Sequence, residues 1–279
     1  MSNDVKIITD SAADLSDDMA SSAGITVVPL SIRFDDVEFI DGVELTKEQF
    51  WDRMAQTSEL PATAAPSPGA FQAAFEKAAA DGFRSVVCLT ISSKISGTYQ
   101  IAVSAAEAVK STIDVRVVDT QGATLAEGIV CREAARLADT GASADDIVTA
   151  IEDFRSKVHL YGALDTLDNL KKGGRIGAAG AFFGSLLSVK PIVGLVNGEV
   201  KPIARSRTRS KALDHLAQLV IDHGAPKNLI VGHSNAPDVE EFLTRIDSVI
   251  DRSTVTVALI GSVVGTHAGP RLMAVSFTD

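Results

Sequence analysis

The sequence predicts a two-domain α/β protein: an N-terminal open, mainly parallel sheet with helices on both faces, and a C-terminal mixed or antiparallel sheet with helices. Three observations predict it. Strand-like apolar runs alternate with helical registers through the first half, the pattern of a parallel sheet. The run Val86-Val87-Cys88-Leu89-Thr90-Ile91 is β-branched and unalternating, as in a central strand buried on both faces. Past Ser156 the pattern shifts to strands in closer succession, which divides the chain into residues 1–156 and 157–279. A length of 279 residues suits two domains.

Lys6 to Thr9 reads as the first strand, Asp10-Ser11 as a capping turn and Ala13 to Ala20 as a helix. Ile25 to Ile32 reads as a second strand and Asp35 to Gly42 as a hairpin or loop. Thr46-Lys47-Glu48-Gln49 starts a helix with Phe50 and Met54 on one face. Pro61 to Pro68 is a rigid, helix-poor loop, after which Ser67 caps a helix with Pro68 in its first position. Ser92 to Gly97 is a polar loop, Thr98 to Lys110 a helix, Val115 to Asp119 a strand, and a helix starts near Ser143 and runs to about Lys157. In the second half the strands are expected at 158–163, 200–206, 228–233, 254–260 and 272–277, with helices near 166–172, 209–222 and 237–250.

Composition excludes several classes of function. Hydrophobic residues make up 46% and charged residues 22%, which argues against a disordered chain. The net charge is −10, so nucleic acid and broad membrane adsorption are disfavoured, leaving at most transient membrane contact. Aromatic content is only 5%, so any pocket should be walled by aliphatic side chains and Phe. Cys88 and Cys131 form no CxxC, which fits core thiols in a reducing compartment. The first residues lack the features of a signal peptide. The apolar stretch Ile176 to Val189 is 14 residues long, short of the about 20 needed to span a bilayer. These signs point to the cytoplasm.

Five places carry chemistry. Ser96-Gly97-Thr98-Tyr99 leaves the end of a buried strand and opens a helix, where free amides attract an anion; the alternative is a plain capped helix with Ser96 as N-cap. Thr63 lies in the proline-bounded loop, as a turn residue or a second hydroxyl at the same edge. His267, in Gly265-Thr266-His267-Ala268-Gly269-Pro270 between two expected strands, is a surface hairpin residue, a donor to an anion or a general base. Arg175, after the helix stop Lys171-Lys172-Gly173, is a candidate cation facing a cleft. The run behind it (Phe182, Phe183, Leu186, Leu187) either walls a hydrocarbon tunnel or is ordinary core. Arg205 and Arg207, within four basic residues in seven, mark a solvated helix start or a docking site for a phosphate or an acidic partner. No nucleotide-binding, hydrolase or zinc-protease motif occurs, and His215 and His223 have no carboxylate at metal-ligand spacing, so neither a cofactor nor a metal is expected.

Taken together and in order, these segments resemble the DegV family of fatty-acid-binding proteins. The start Thr9-Asp10-Ser11-Ala12-Ala13-Asp14-Leu15, then Ser96-Gly97-Thr98-Tyr99-Gln100, Val118-Asp119-Thr120, Leu170 to Ile176 and Lys190-Pro191-Ile192 all stand where that family has its motifs. Two departures occur. Ala64 and Ala65 replace a Ser-Gln pair, and Arg271 replaces the glycine ending a His-x-Gly-Pro-Gly turn. The resemblance implies one long-chain fatty acid in a buried tunnel. Its carboxylate would be held by Thr63, Ser96 with the Gly97 amide, and His267, with Arg175, Thr98 and Arg271 nearby. It also implies a carrier that presents the acid to a separate ATP-dependent fatty acid kinase. The competing reading is a serine-type acyl ester hydrolase using Ser96 and His267, assisted by Thr98 or Asp119.

Overall fold

A computed structural model describes residues 4–182, 189–224 and 226–279. The chain opens with β1 (Val5–Asp10), one turn of 3-10 helix and α1 (Asp17–Ser22), which Ser16 caps through Met19 N. Next come β2 (Thr26–Val28), β3 (Ser31–Phe34), β4 (Val37–Ile40), α2 (Lys47–Gln56) and β5 (Ala62–Ala64). They are followed by α3 (Pro68–Ala80), β6 (Ser85–Thr90), α4 (Thr98–Val109), β7 (Asp114–Asp119), α5 (Thr124–Asp139) and α6 (Ala144–Phe154).

Strands β2-β1-β6-β7 form a four-stranded parallel sheet in that order. Alternate residues of its strands feed opposite cores, as a pleat requires. Ile7, Val87, Leu89 and Val118 pack on α5 and α6, while Ile8, Val86 and Cys88 pack on Phe71 and Phe75 of α3 and Ala102 and Ala105 of α4. Both faces are therefore covered by helices.

The run Ile25 to Ile32, expected as one strand, is two. Pro29 has no N–H to donate, so the ladder stops there and the chain moves to another sheet. That sheet, β4-β3-β5, is small and antiparallel. Its third member comes from the supposed loop: Ala62–Ala64 pairs with β3, with Thr63 opposite Ile32.

The second half contains β8 (Val158–Ala163), α7 (Asp168–Lys172), β9 (Lys190–Val196), β10 (Glu199–Ser206), α8 (Arg209–His223), β11 (Lys227–His233), α9 (Val239–Ile246), β12 (Thr256–Leu259), α10 (Ser262–Ala268) and β13 (Met273–Thr278). Its six-stranded sheet, β10-β9-β8-β13-β11-β12, is antiparallel except for the β11–β12 pair. One face packs on α8 and α9 around Leu216, Phe242 and Phe277.

The other face meets α5. Leu125 and Ile129 join Leu164, Leu170 and Leu272, while Val130, Cys131 and Ala134 of the same helix pack on the parallel sheet. Helix α5 is thus shared by both cores, and every residue from Thr124 to Cys131 is buried. The first two turns of the helix, buried all round, have no polar stripe to announce them in the sequence, whereas Arg132, Arg136 and Asp139 of its second half are exposed. Gly128 permits the fit, because a Cβ there would lie 2.8 Å from the Ala13 carbonyl oxygen. Among the described residues, no helix is long and apolar enough to cross a membrane.

Candidate functional site

A cavity of about 170 Å³ lies where the end of the parallel sheet, the small sheet and the inner face of the six-stranded sheet meet. A single water needs only about 10–15 Å³ in such a space. Most of its wall is Gly, Ala, Val, Leu and Ile, from Leu30 and Ile91 on one side to Leu160, Val193 and Leu272 on the other. Among the described lining residues the side chains with polar atoms are Thr63, Ser96, Thr124, Tyr161, Arg175 and His267. Thr124 is already engaged, donating to Asp14 Oδ2 at 2.6 Å.

Four of these polar groups come from four different elements. Thr63 is held by the β5–β3 ladder. Ser96 stands beyond the carboxyl end of β6, the edge at which open parallel sheets bind ligands. It is not the N-cap of α4; Gly97 is, and has no side chain to cap with. The Ser96 hydroxyl instead accepts from Thr98 N at 3.3 Å and lies 2.9 Å from the buried Thr98 hydroxyl. Gly97 lines the cavity beside it.

His267 corrects the expected surface turn: it sits in the last turn of α10, partly buried. That helix is pinned from two sides. Trp51 Nε1 donates to Ile260 O at 2.8 Å just ahead of it, and Asn169 Nδ2 donates to Thr266 O at 3.0 Å. His267 Nε2 lies 3.0 Å from Thr63 Oγ1, while its Nδ1 is buried without a hydrogen-bond partner. Gly173 makes room for the ring, since a Cβ there would stand 2.2 Å from Nδ1. Arg175 follows α7, donating from Nε to Ile95 O at 3.0 Å and from Nη1 to Gly173 O at 2.7 Å.

Burial, reinforced by the Arg175 charge, depresses the His267 pKa to about 4. The imidazole is therefore neutral at ordinary pH, and the guanidinium is the formal charge on this part of the wall. The set offers a cation and three hydroxyl or imidazole groups beside an apolar space. That is a binding arrangement for a small anionic group on an apolar body. The Ser96–His267 pair of a serine hydrolase is not formed: among the described residues His267 bonds Thr63, its Nδ1 has no group to orient it, and Asp119 accepts from Ser93 Oγ at 2.5 Å and Gln121 N at 2.8 Å.

The remaining expected positions fall as follows. Ala64 and Ala65 line the cavity, so the two residues that depart from the family pattern leave apolar wall there. Arg271 is not among the lining residues; its guanidinium lies 3.8 Å from Asp165. Phe183, Leu186 and Leu187 lie outside the described residues, as does the side chain of Phe182. Arg205 and Arg207 are exposed on and just after β10, whereas Arg209 of the same basic run is held by Asp238 in two bonds of 2.9 Å. Sequence reasoning missed Tyr161, Gly162 and Gly194, which reach the wall because neighbouring strands bring them there.

The profile described as "Uncharacterised protein, DegV family" matches residues 4–279. A DegV domain-containing protein of Streptomyces coelicolor is 37% identical over 281 residues, covering 99% of this chain and 98% of its own. Among solved structures, "DegV, a fatty acid binding protein from Bacillus subtilis" shares 31% identity at a TM-score of 0.88, with 99% of both chains covered. A stearic-acid-binding protein from Eubacterium ventriosum shares 27% identity at a TM-score of 0.87, with 98% of both chains covered.

Proposed function

This chain belongs to the DegV family, and from that premise we propose that it binds one long-chain fatty acid in the cavity. The carboxylate is held by Thr63, Ser96, the Gly97 amide and His267, with Arg175 as the nearby cation. The observation that carries the reading is the joining of an aliphatic space to one cluster of hydroxyl, imidazole and guanidinium groups. The similar proteins from Eubacterium ventriosum, a stearic-acid binder, and Bacillus subtilis, a fatty acid binder, support the ligand class.

The physics is consistent. Burying a chain of about 15 carbons offers on the order of 10 kcal/mol before the costs of association. The head group needs donors, since an unpaired carboxylate in a dry site costs several kcal/mol. With the His267 proton on Nε2, the ring donates to Thr63 Oγ1, and the threonine hydroxyl is left to donate to the ligand. Ser96 is primed in the same way: it accepts from Thr98 N, and with the Thr98 hydroxyl donating to it as well, its own proton is left for the ligand. Two neutral relays and one guanidinium hold the anion without a proton transfer, which suits a carrier.

In this reading the chain delivers its acid to a separate ATP-dependent fatty acid kinase in the cytoplasm, with Arg205 and Arg207 as the docking face. It consists of two domains that divide near Ser156. Native mass spectrometry of the purified protein, followed by lipid extraction, tests the core claim. One acyl chain per protein is expected. No recovered lipid, together with no fatty-acid binding by calorimetry, overturns it. For the partner, Arg207→Ala should keep its lipid and lower acyl-phosphate formation in a reconstituted kinase assay; unchanged formation removes the docking role.

A further inference from the structure

A second cluster lies on the outer, α8-covered face of the six-stranded sheet, away from the head-group site. His159 begins β8, His223 ends α8, and Asp279 follows β13. His159 Nε2 lies 2.8 Å from Asp279 Oδ1, and His223 Nε2 lies 3.2 Å from the same oxygen. All three donor atoms fall within 4.8 Å of one another. We propose that His159, His223 and Asp279 form a binding site for a divalent transition-metal ion of the zinc class.

Three features argue for an ion rather than a chance contact. The first is donor chemistry: two imidazole nitrogens and one carboxylate suit zinc, cobalt, nickel or copper, whereas calcium and magnesium take oxygen sets. The second is distance. A tetrahedral ion with bonds of about 2.0–2.1 Å holds its donors roughly 3.3 Å apart, so the two short separations already fit and the widest must close by about 1.5 Å at most.

The third is rigidity. The ring of Phe277 packs against both imidazoles, with centroids 5.2 Å from His159 and 4.8 Å from His223. His159 is also stacked on Tyr161 at an interplanar angle of 14°. Both histidines are half-buried, so their rings are fixed before any ion arrives, while the Asp279 side chain is 56% exposed and leaves a way in from solvent. Three protein ligands leave a fourth position to water. The ion would tie the start of β8, the end of α8 and the end of β13 together.

Spacing along the chain gives no hint of this set, because its members lie 64 and 56 residues apart (159, 223, 279). The test uses the tag-free full chain, titrated calorimetrically with Zn2+ and, in parallel, with Co2+ followed by visible absorption. One equivalent of Zn2+ and the intense d–d bands of tetrahedral Co2+ are expected. His159→Gln and His223→Gln should each weaken Zn2+ binding at least tenfold and abolish those bands. His215→Gln, at an exposed histidine on the same helix, should change neither. Circular dichroism of the variants checks that each is folded. No stoichiometric binding, or binding that survives both substitutions, means an adventitious ion only and overturns the site.

Discussion

Among the described residues, burial acts in opposite chemical senses on two polar clusters. Around His267, it strips the proton from an imidazole and leaves donors facing a cavity. Around Asp10, it drives protons onto carboxyls and closes them in. Asp10 is fully buried and accepts from Ala12 N and Ile91 N, both at 2.9 Å, yet desolvation raises its pKa to about 7. Glu127, also fully buried, is raised well above the usual carboxyl range by desolvation and then by Asp10. Thr9 donates to Glu127 at 3.3 Å and accepts from the Cys131 thiol at 3.2 Å. In both clusters burial favours the uncharged form of the buried acid or base. What separates a binding site from a structural knot is the room beside it: neither Asp10 nor Glu127 lines the cavity.

Removing Asp10 should break the contrast most severely. Asp10→Ala orphans two buried amides that hold the first turn and the start of the Ser92 loop. At about 1–3 kcal/mol for each unsatisfied group, the loss approaches the whole stability of a marginal domain. Denaturant melts of the variant should show a loss of at least 2 kcal/mol. A loss under 0.5 kcal/mol removes the structural reading of that cluster.

The His267 side should respond in the reverse manner. Thr63→Val and Ser96→Ala together remove both hydroxyls from the head-group site; the Thr63 side chain anchors no sheet, and Ser96 gives up one long bond from Thr98 N at 3.3 Å. Fatty-acid affinity should fall about 10- to 100-fold, as expected for two hydrogen bonds to a charged group, while stability changes by less than about 1 kcal/mol. Calorimetry with a saturated acid on delipidated protein reads the first quantity, and a thermal melt the second. Intact affinity with a lowered melting temperature would exchange the roles assigned to the two clusters.

A finer test separates charge from hydrogen bonding within the same site. Arg175→Met keeps a long apolar stem but removes the guanidinium, so affinity should fall about threefold to tenfold and lose most of its salt dependence. Affinities measured at low and high ionic strength check this. A salt slope equal to wild type excludes Arg175 from the head-group field.

The two clusters also differ in how far the sequence announces them. Ser96, Thr63, Arg175 and His267 sit in loops and short motifs whose residue types suggest anion binding, so each is visible as a candidate. Their convergence is not, because it depends on a three-residue strand inside a proline-bounded segment and on a short helix, Ser262–Ala268, rich in β-branched residues and glycine. Local propensity favours neither element; the β3 ladder and the Trp51 and Asn169 anchors impose them. The parallel sheet was legible because Val86 to Ile91 has no polar face. Helix α5 was hidden for the same reason, its polar Glu127 being buried rather than exposed. Asp10 reads locally as a cap, and it is one; nothing nearby in sequence reveals the second carboxyl 117 positions later (10 to 127).

Glu127→Gln should have the smallest effect and sharpen the comparison furthest. Burial and the Asp10 charge favour the protonated glutamate in the fold, so a neutral amide of the same shape should leave the melting temperature near wild type at about pH 4, where the unfolded chain is largely protonated too. The sign then follows from linkage. An acid whose folded pKa is raised stabilises the fold fully below its unfolded pKa, and that contribution is lost as pH rises through the folded value. Asp10 produces such a decline up to about pH 7 in both proteins. Glu127 adds its own decline in wild type alone, beginning at the ordinary carboxyl pKa of the unfolded chain and ending at its raised folded value. The variant should therefore become progressively the more stable of the two as pH rises from about 4, while fatty-acid affinity stays unchanged because residue 127 does not line the cavity. Parallel melting profiles from about pH 4 to 9 would mean that Glu127 is ionised in the folded protein. The two clusters would then differ in charge as well as in access.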